Sequence, residues 1–211
     1  MGNYKKGKRT RKRLLRKIRE TLNEDGMLLT FDQLSRKLGV SKGQITNYFP
    51  TKEQIFVALS EEYDQVFQGI RDFDWGGDYS LLKLAELFGK IMDHQYRYRC
   101  VIYYTVIAPP SELGFSTQLQ KSYEENVKGV KDTVELLVSK GLLKAELLEA
   151  EHYKIFLFQH LCLFTNWVMT IRTYQWEMDY EREKQVYLNS ILMGYYPYFT
   201  PLGLKQFKEL K

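Results

Sequence analysis

Gln44, Thr46 and Asn47 stand within four positions of one another, behind Ser41-Lys42-Gly43 and ahead of Tyr48-Phe49-Pro50. A carboxamide carries a donor and an acceptor in one plane. That pair matches N7 and N6 on the major-groove edge of adenine, and a threonine offers a hydroxyl or, to thymine, a methyl group. Lys42 and Tyr48 flank them and suit phosphate oxygens, which set register without reading sequence. Thr30 and Lys52 open neighbouring helices, where free backbone N–H groups favour a phosphate. Gly43 lets a helix approach a nucleic-acid backbone closely. Gln44 has a competing role as capping-box partner of Ser41, since one side chain cannot do both, and Tyr48 can instead pack under Phe49.

No other constellation in the 211 residues suits chemistry. There is no G-x-S-x-G elbow, H-E-x-x-H pair, P-loop or dinucleotide fingerprint, so the chain is not expected to be an enzyme. Cys100 and Cys162 lie outside any CxxC pair, and His94, His152 and His160 are scattered. That spacing argues against a structural zinc site, and no metal or cofactor is expected. Two free thiols and a charged start with no apolar stretch behind it give a cytoplasmic expectation. The most apolar run, residues 155–171, is shorter than the roughly 20 residues of a spanning helix. Gln159, His160, Thr165, Asn166 and Thr170 interrupt it, so it reads as a helix buried on most faces.

The elements that position the amides are announced by helix-start signals. Thr30-Phe31-Asp32-Gln33 fits a capping box, and Ser41-Lys42-Gly43-Gln44 and Thr51-Lys52-Glu53-Gln54 repeat its pattern. Gly39 is placed for a left-handed stop, and Pro50 bars continuation of the preceding helix. The spacing predicts short helices over 31–38 and 42–48 and a longer one from Lys52 to about Arg71. Two short helices joined by a glycine turn are the layout of a DNA-reading helix-turn-helix. Leu34, Leu38, Val40, Ile45 and Phe49 are its expected core. Ahead of it, a helix is predicted from about Thr10 to Asn23–Gly26, and residues 1–9 as a flexible arm.

Residues 30–59 resemble the DNA-binding signature of the TetR family. The match rests on Thr30, Leu34, Ser35, Gly39, Val40, Ser41, Gly43, Ile45, Tyr48, Phe49, Thr51, Lys52 and Glu53. Thr46 and Asn47 depart from the family pattern inside the second helix, which bears on the DNA sequence read. The resemblance covers about residues 10–60. It implies an all-α chain: a helix-turn-helix DNA-binding module over 1–52, then a larger helical ligand-sensing and dimerisation domain over 53–211. It also implies a homodimer through the last two long helices, here Glu146–Arg172 and Glu181–Tyr196, and a repressor released from a palindromic operator by a small molecule.

The body fits this frame. Helices are predicted from Ser80 to about Tyr98, from about Leu119 to Gly141, and over the two segments just named. Asp72–Tyr79 reads as a turn, Pro109-Pro110 closes a short segment, and Pro201–Lys211 is a short tail. Leu188, Ile191, Leu192 and Tyr195 share a stripe suited to a bundle, with Gly194 allowing close approach. Phe88, Met92, Tyr96, Tyr103, Tyr123, Phe156, His160, Phe164 and Trp167 are candidates to line a pocket for a small apolar or aromatic ligand. Each of them also fits plain core.

Charge divides along the same line. Residues 1–52 hold 14 Lys and Arg against four Asp and Glu, whereas the remainder holds 17 against 22. Only the front is therefore expected to meet a polyanion, double-stranded DNA. The basic residues Lys5, Lys6, Lys8, Arg9, Arg11, Lys12 and Arg13 can follow DNA into a minor groove or attract phosphates nonspecifically. A DNA-binding regulator or architectural protein without an effector, controlled by a protein partner, is the alternative. A dry, fully packed body would favour it.

Overall fold

The apolar spacings of three and four along the sequence are realised as helix. The computed structural model describes residues 2–108, 116–174 and 177–210, leaving out the side chains of 2–5, 71 and 116–119. Pro109-Pro110 and the side chains of Lys5 and Leu119 lie outside the described residues. Ten α-helices and no strand occur among those described: α1 Gly2–Asp25, α2 Phe31–Leu38, α3 Lys42–Tyr48, α4 Lys52–Arg71, α5 Leu81–Arg97, α6 Arg99–Ile107, α7 Ser116–Ser139, α8 Ala150–Tyr174, α9 Tyr180–Met193 and α10 Pro201–Glu209. None is long and apolar enough to cross a membrane.

Three boundaries differ from the periodicity reading. The segment read as a flexible arm is helical from Gly2. No proline interrupts it, Lys and Arg are good helix formers, and the Thr10 hydroxyl donates to the Lys6 carbonyl at 3.0 Å. Helix α8 starts at Ala150 because Glu149 is extended; the residues before it, Ala145–Leu148, wind as a 3-10 turn that buries Leu147. The segment read as a tail is α10. Pro201 sits in its first turn, and the Thr200 hydroxyl accepts from the Gly203 N–H at 3.1 Å.

The chain forms two compact units, residues 1–68 with 94–116 and residues 69–93 with 117–211. The boundary expected after Lys52 falls within the first. There α4 buries Ile55, Phe56 and Leu59, and the Phe56 ring stacks parallel on Tyr104 of α6 with centroids 3.7 Å apart. Leu14, Leu15, Ile18 and Leu22 form the buried stripe of α1, which packs on α2 and α6. Asn23 ties α1 to the corner between α5 and α6. Its side-chain N–H donates to the Arg97 carbonyl at 2.8 Å, and its oxygen accepts from the Cys100 N–H at 3.0 Å. Nearby, the Arg19 guanidinium lies 4.6 Å from the Tyr98 ring centre and 3.7 Å from the Glu62 carboxylate.

In the second unit α8 packs on α9. Phe156, Val168 and Ile171 of α8 are buried, as are Leu188, Ile191 and Leu192 of α9 and Val134 and Leu137 of α7. Residues 142–144 run against 198–200: the Lys144 N–H donates to the Tyr198 carbonyl at 2.8 Å and the Thr200 N–H to that of Leu142 at 3.1 Å. Only glycine fits at 203, where a Cβ would stand 2.1 Å from the Leu142 carbonyl oxygen.

Candidate nucleic-acid interface

Local bonding fixes how α3 is presented. At the start of α2 both arms of the capping box are made: the Gln33 N–H donates to the Thr30 hydroxyl at 3.2 Å, and the Thr30 N–H donates to the Gln33 side chain at 2.7 Å. Helix α2 stops at Gly39, in the left-handed region at φ 63°, where its N–H donates to the Arg36 carbonyl. Ser41 then caps α3 by accepting from the Gln44 N–H at 3.1 Å. Leu34, Ile45 and Phe49 are fully buried, while Leu38 and Val40 are half-buried. This inward pull on the apolar side leaves Gln44 and Asn47 exposed on the other.

The capping box of α3 is one-armed. Gln44 contributes its backbone N–H to Ser41, and its carboxamide stays exposed. Thr46 and Tyr48 are half-buried, and the Thr46 hydroxyl leans back toward the Gly43 carbonyl at 3.4 Å. Lys42 pairs with Asp32 of α2 at 3.1 Å. Such an exposed pair is worth little, about 0–1 kcal/mol, and is readily exchanged for a phosphate. Burial pushes the pKa of the half-buried Lys52 ammonium down. Arg11 of α1 places its guanidinium 4.8 Å from the centre of the Phe49 ring, at the carboxyl end of α3.

Gly43 distinguishes a folding role from a binding role. Nothing in the chain lies within 4 Å of a Cβ built there. Gly43→Ala is therefore expected to stabilise the free protein by up to about 1 kcal/mol, through helix propensity and a stiffer unfolded chain. DNA affinity is expected to fall at the same time. Urea unfolding and a DNA titration on the same variant check both signs. Unchanged affinity would mean that no duplex backbone approaches this position.

Two capped helices of eight and seven residues, a left-handed glycine between them and two exposed carboxamides on the second define a helix-turn-helix DNA-binding protein. Residues 14–59 match the model of the bacterial regulatory proteins of the tetR family. The whole chain is similar in fold to a TetR-family transcriptional regulator from Marinobacter aquaeolei VT8. The TM-score is 0.73 and the identity 18%, over 95% of this chain and 94% of that one. It is similar also to SmeT in the SmeT–triclosan complex, with a TM-score of 0.58 and 15% identity over 91% and 92% of the two chains. No curated protein matches the chain in sequence. The N-terminal module is a TetR-family DNA-binding module, and the chain that carries it has the fold of the TetR-family transcriptional regulators.

Of the nine pocket candidates, the second unit brings four together. Phe88, Phe156 and Phe164 surround His160 at ring-centroid distances of 5.6, 5.5 and 5.2 Å. Tyr195, assigned from the sequence only to a bundle stripe, closes this group edge-on to His160 at 5.6 Å. Met92 is buried; Trp167 stacks on Tyr180 and meets Tyr187; Tyr123 is 58% exposed on α7. Tyr96 and Tyr103 belong to the first unit, where Arg99 lies over the Tyr96 ring and Tyr103 is buried. Cys100 is buried and its thiol pushed up to about 12, chiefly by that burial, whereas Cys162 is exposed. Among the described residues no three His, Cys, Asp or Glu gather as metal ligands do.

Burial holds the His160 imidazole at a pKa of about 4. The same cause acts on His94, also at about 4, although its Nε2–H donates to the Tyr63 carbonyl at 2.9 Å. The unfolded chain takes up these protons near pH 6.5, and the folded one not until about 4. Between those values the unfolded state binds more protons. This contribution to stability is thus whole above about pH 6.5 and is lost as pH falls toward 4, up to about 3 kcal/mol per histidine. Urea midpoints are expected to drop from about pH 7 to about pH 4.5, and His160→Phe should flatten the slope. An equal slope in that variant would place the proton uptake elsewhere.

Proposed function

We propose that the protein is a homodimeric repressor that binds a palindromic operator through α3 and is released from it by a small-molecule effector. The observation that carries this reading is the exposure of Gln44 and Asn47 on a helix whose apolar side is fully engaged. Side chains able to bond adenine edges are presented there with no structural duty. Thr46 adds a hydroxyl or methyl, Lys42 and Tyr48 hold phosphates, and the starts of α2 and α4, at Thr30 and Lys52, take phosphates from either side.

Dimerisation is supported by the surface of α8 and α9. Between Lys154 and Arg172, α8 carries no charged residue, yet Ile155, Phe158, Cys162 and Leu163 are exposed, Phe158 at 71%. Val186 and Met193 of α9 are exposed as well. An apolar face of this kind suits an isologous contact with a second copy, and two-fold symmetry pairs two α3 helices with two half-sites. The candidate place for an effector is the ring group around His160, where an imidazole is packed among four aromatic rings. The similarly folded SmeT has been captured with triclosan. A ligand acts on the operator only through different affinities for two arrangements of the protein.

Selection of bound sequences from a random duplex library tests the reading. An enriched palindrome, retained by the wild type in a second round, is the expected result. Binding without enrichment would overturn sequence-specific repression. The enriched duplex is then the probe for a screen of small aromatic compounds that release it.

A further inference from the structure

The first acidic residue of the chain is Glu20, and ten Lys and Arg precede it. Burial in α1 begins only at Leu14; from Lys6 to Arg13 no side chain is buried. This stretch is helical with no core beneath it. Lys8 and Lys12, Arg9 and Arg13, and Lys6 and Arg9 each stand one turn apart, and like charges at those spacings oppose a helix. Cations near the amino end oppose the helix dipole too. A polyanion removes both penalties.

Arg11 fixes where the stretch leaves the module. It lies over Phe49, the residue that ends α3, so the basic turns emerge beside the carboxyl end of the DNA-reading helix. We infer that residues 6–13 are a second DNA-binding element: a basic helix that lies along the phosphate backbone of the duplex that α3 reads, and grips it without reading bases. A helix with its side chains is about 10–12 Å across, and the minor groove is about 6 Å wide, so an intact helix rides the phosphates instead of entering that groove. From residue 6 to residue 13 it rises about 10 Å. Over that length each strand of a duplex presents about three phosphates, and Lys6, Lys8, Arg9, Lys12 and Arg13 supply cations enough to neutralise them while Arg11 stays over Phe49.

The inference rests on DNA binding by the N-terminal module, and it is independent of which sequence is read. The test measures affinity of the full chain for the selected duplex, and for a random duplex of equal length, between about 50 and 200 mM salt. The variant is K6Q/K8Q/R9Q/K12Q/R13Q, with Arg11 kept over Phe49. Its slope of log affinity against log salt is expected to be shallower by about 2 to 3, at about 0.9 for each of the roughly three phosphates that the variant leaves unneutralised. The change should be the same on both duplexes, with base preferences unaltered. A chain starting at Thr10 should reproduce most of the loss, which guards against a folding fault in the five-fold variant. The control K121Q/K128Q/K131Q, altered on exposed α7 lysines, should leave the slope alone. An unchanged slope, or an equal loss in the control, overturns the inference. So does a loss confined to duplexes with A·T-rich flanks, which would mean an unwound arm in the minor groove. If the wild type enriches no sequence while the slope still falls as stated, the operator reading fails and the backbone grip stands.

Discussion

Gln44→Ala and Asn47→Ala are expected to abolish preference at separate base pairs of the operator while leaving binding to random DNA almost unchanged. Each carboxamide can make a bidentate pair worth about 1–3 kcal/mol of discrimination, or about 5- to 150-fold per position. The operator is proposed to hold two half-sites, so each substitution acts twice on one dimer. The free protein should not notice. Both side chains are exposed, and Ser41 caps α3 with the Gln44 backbone N–H, which alanine retains. Unfolding midpoints within experimental error of the wild type, together with relaxed selection profiles, are the expected pair of results. Profiles that stay sharp in both variants would mean that α3 does not read bases through these residues.

Phe158→Glu is expected to convert the proposed dimer to monomer. The side chain stands exposed beside Ile155, Cys162 and Leu163, and beyond it no charge follows on α8 until Arg172. A central aromatic anchor typically contributes about 2 kcal/mol or more to an interface. Because a two-fold contact contains the residue twice, dimer dissociation should rise about a thousandfold. Sedimentation at micromolar protein reads the change directly. Operator affinity should then fall toward that of a single half-site, while the helix content of the chain is retained. A variant that remains dimeric would place the interface on another surface.

The fold was largely legible because its signals are local. The bounds of α2, α3 and α4 follow from Thr30, Gly39, Ser41, Pro50 and Lys52, each acting within one turn of itself. Where tertiary contacts decide, the periodicity was less informative. The 3-10 turn before α8 forms where 142–144 run against 198–200, a pairing of segments more than fifty residues apart. The α10 segment carried its own signal, Thr200-Pro201, a cap followed by proline at the first helical position. In the site, side-chain type identified Gln44 and Asn47, and only the packing of Ile45 and Phe49 settles that these two face outward. The aromatic candidates could not be sorted from sequence, since a ring at helical spacing serves a core and a pocket equally. Grouping Phe88 with Phe156, His160, Phe164 and Tyr195 needs two helices, α5 and α8, and the turn after α9.

Asn23 turns one backbone amide into a reporter. The Cys100 N–H lies at the start of α6, where no preceding helical turn supplies an acceptor, and its hydrogen bond runs to a side chain on α1. Its exchange with deuterium is therefore governed by separation of α1 from the α5–α6 corner and not by fraying of α6 alone. A single slowly exchanging proton can thus follow how tightly the DNA-reading module is clasped, in free protein and on DNA, without any label being attached.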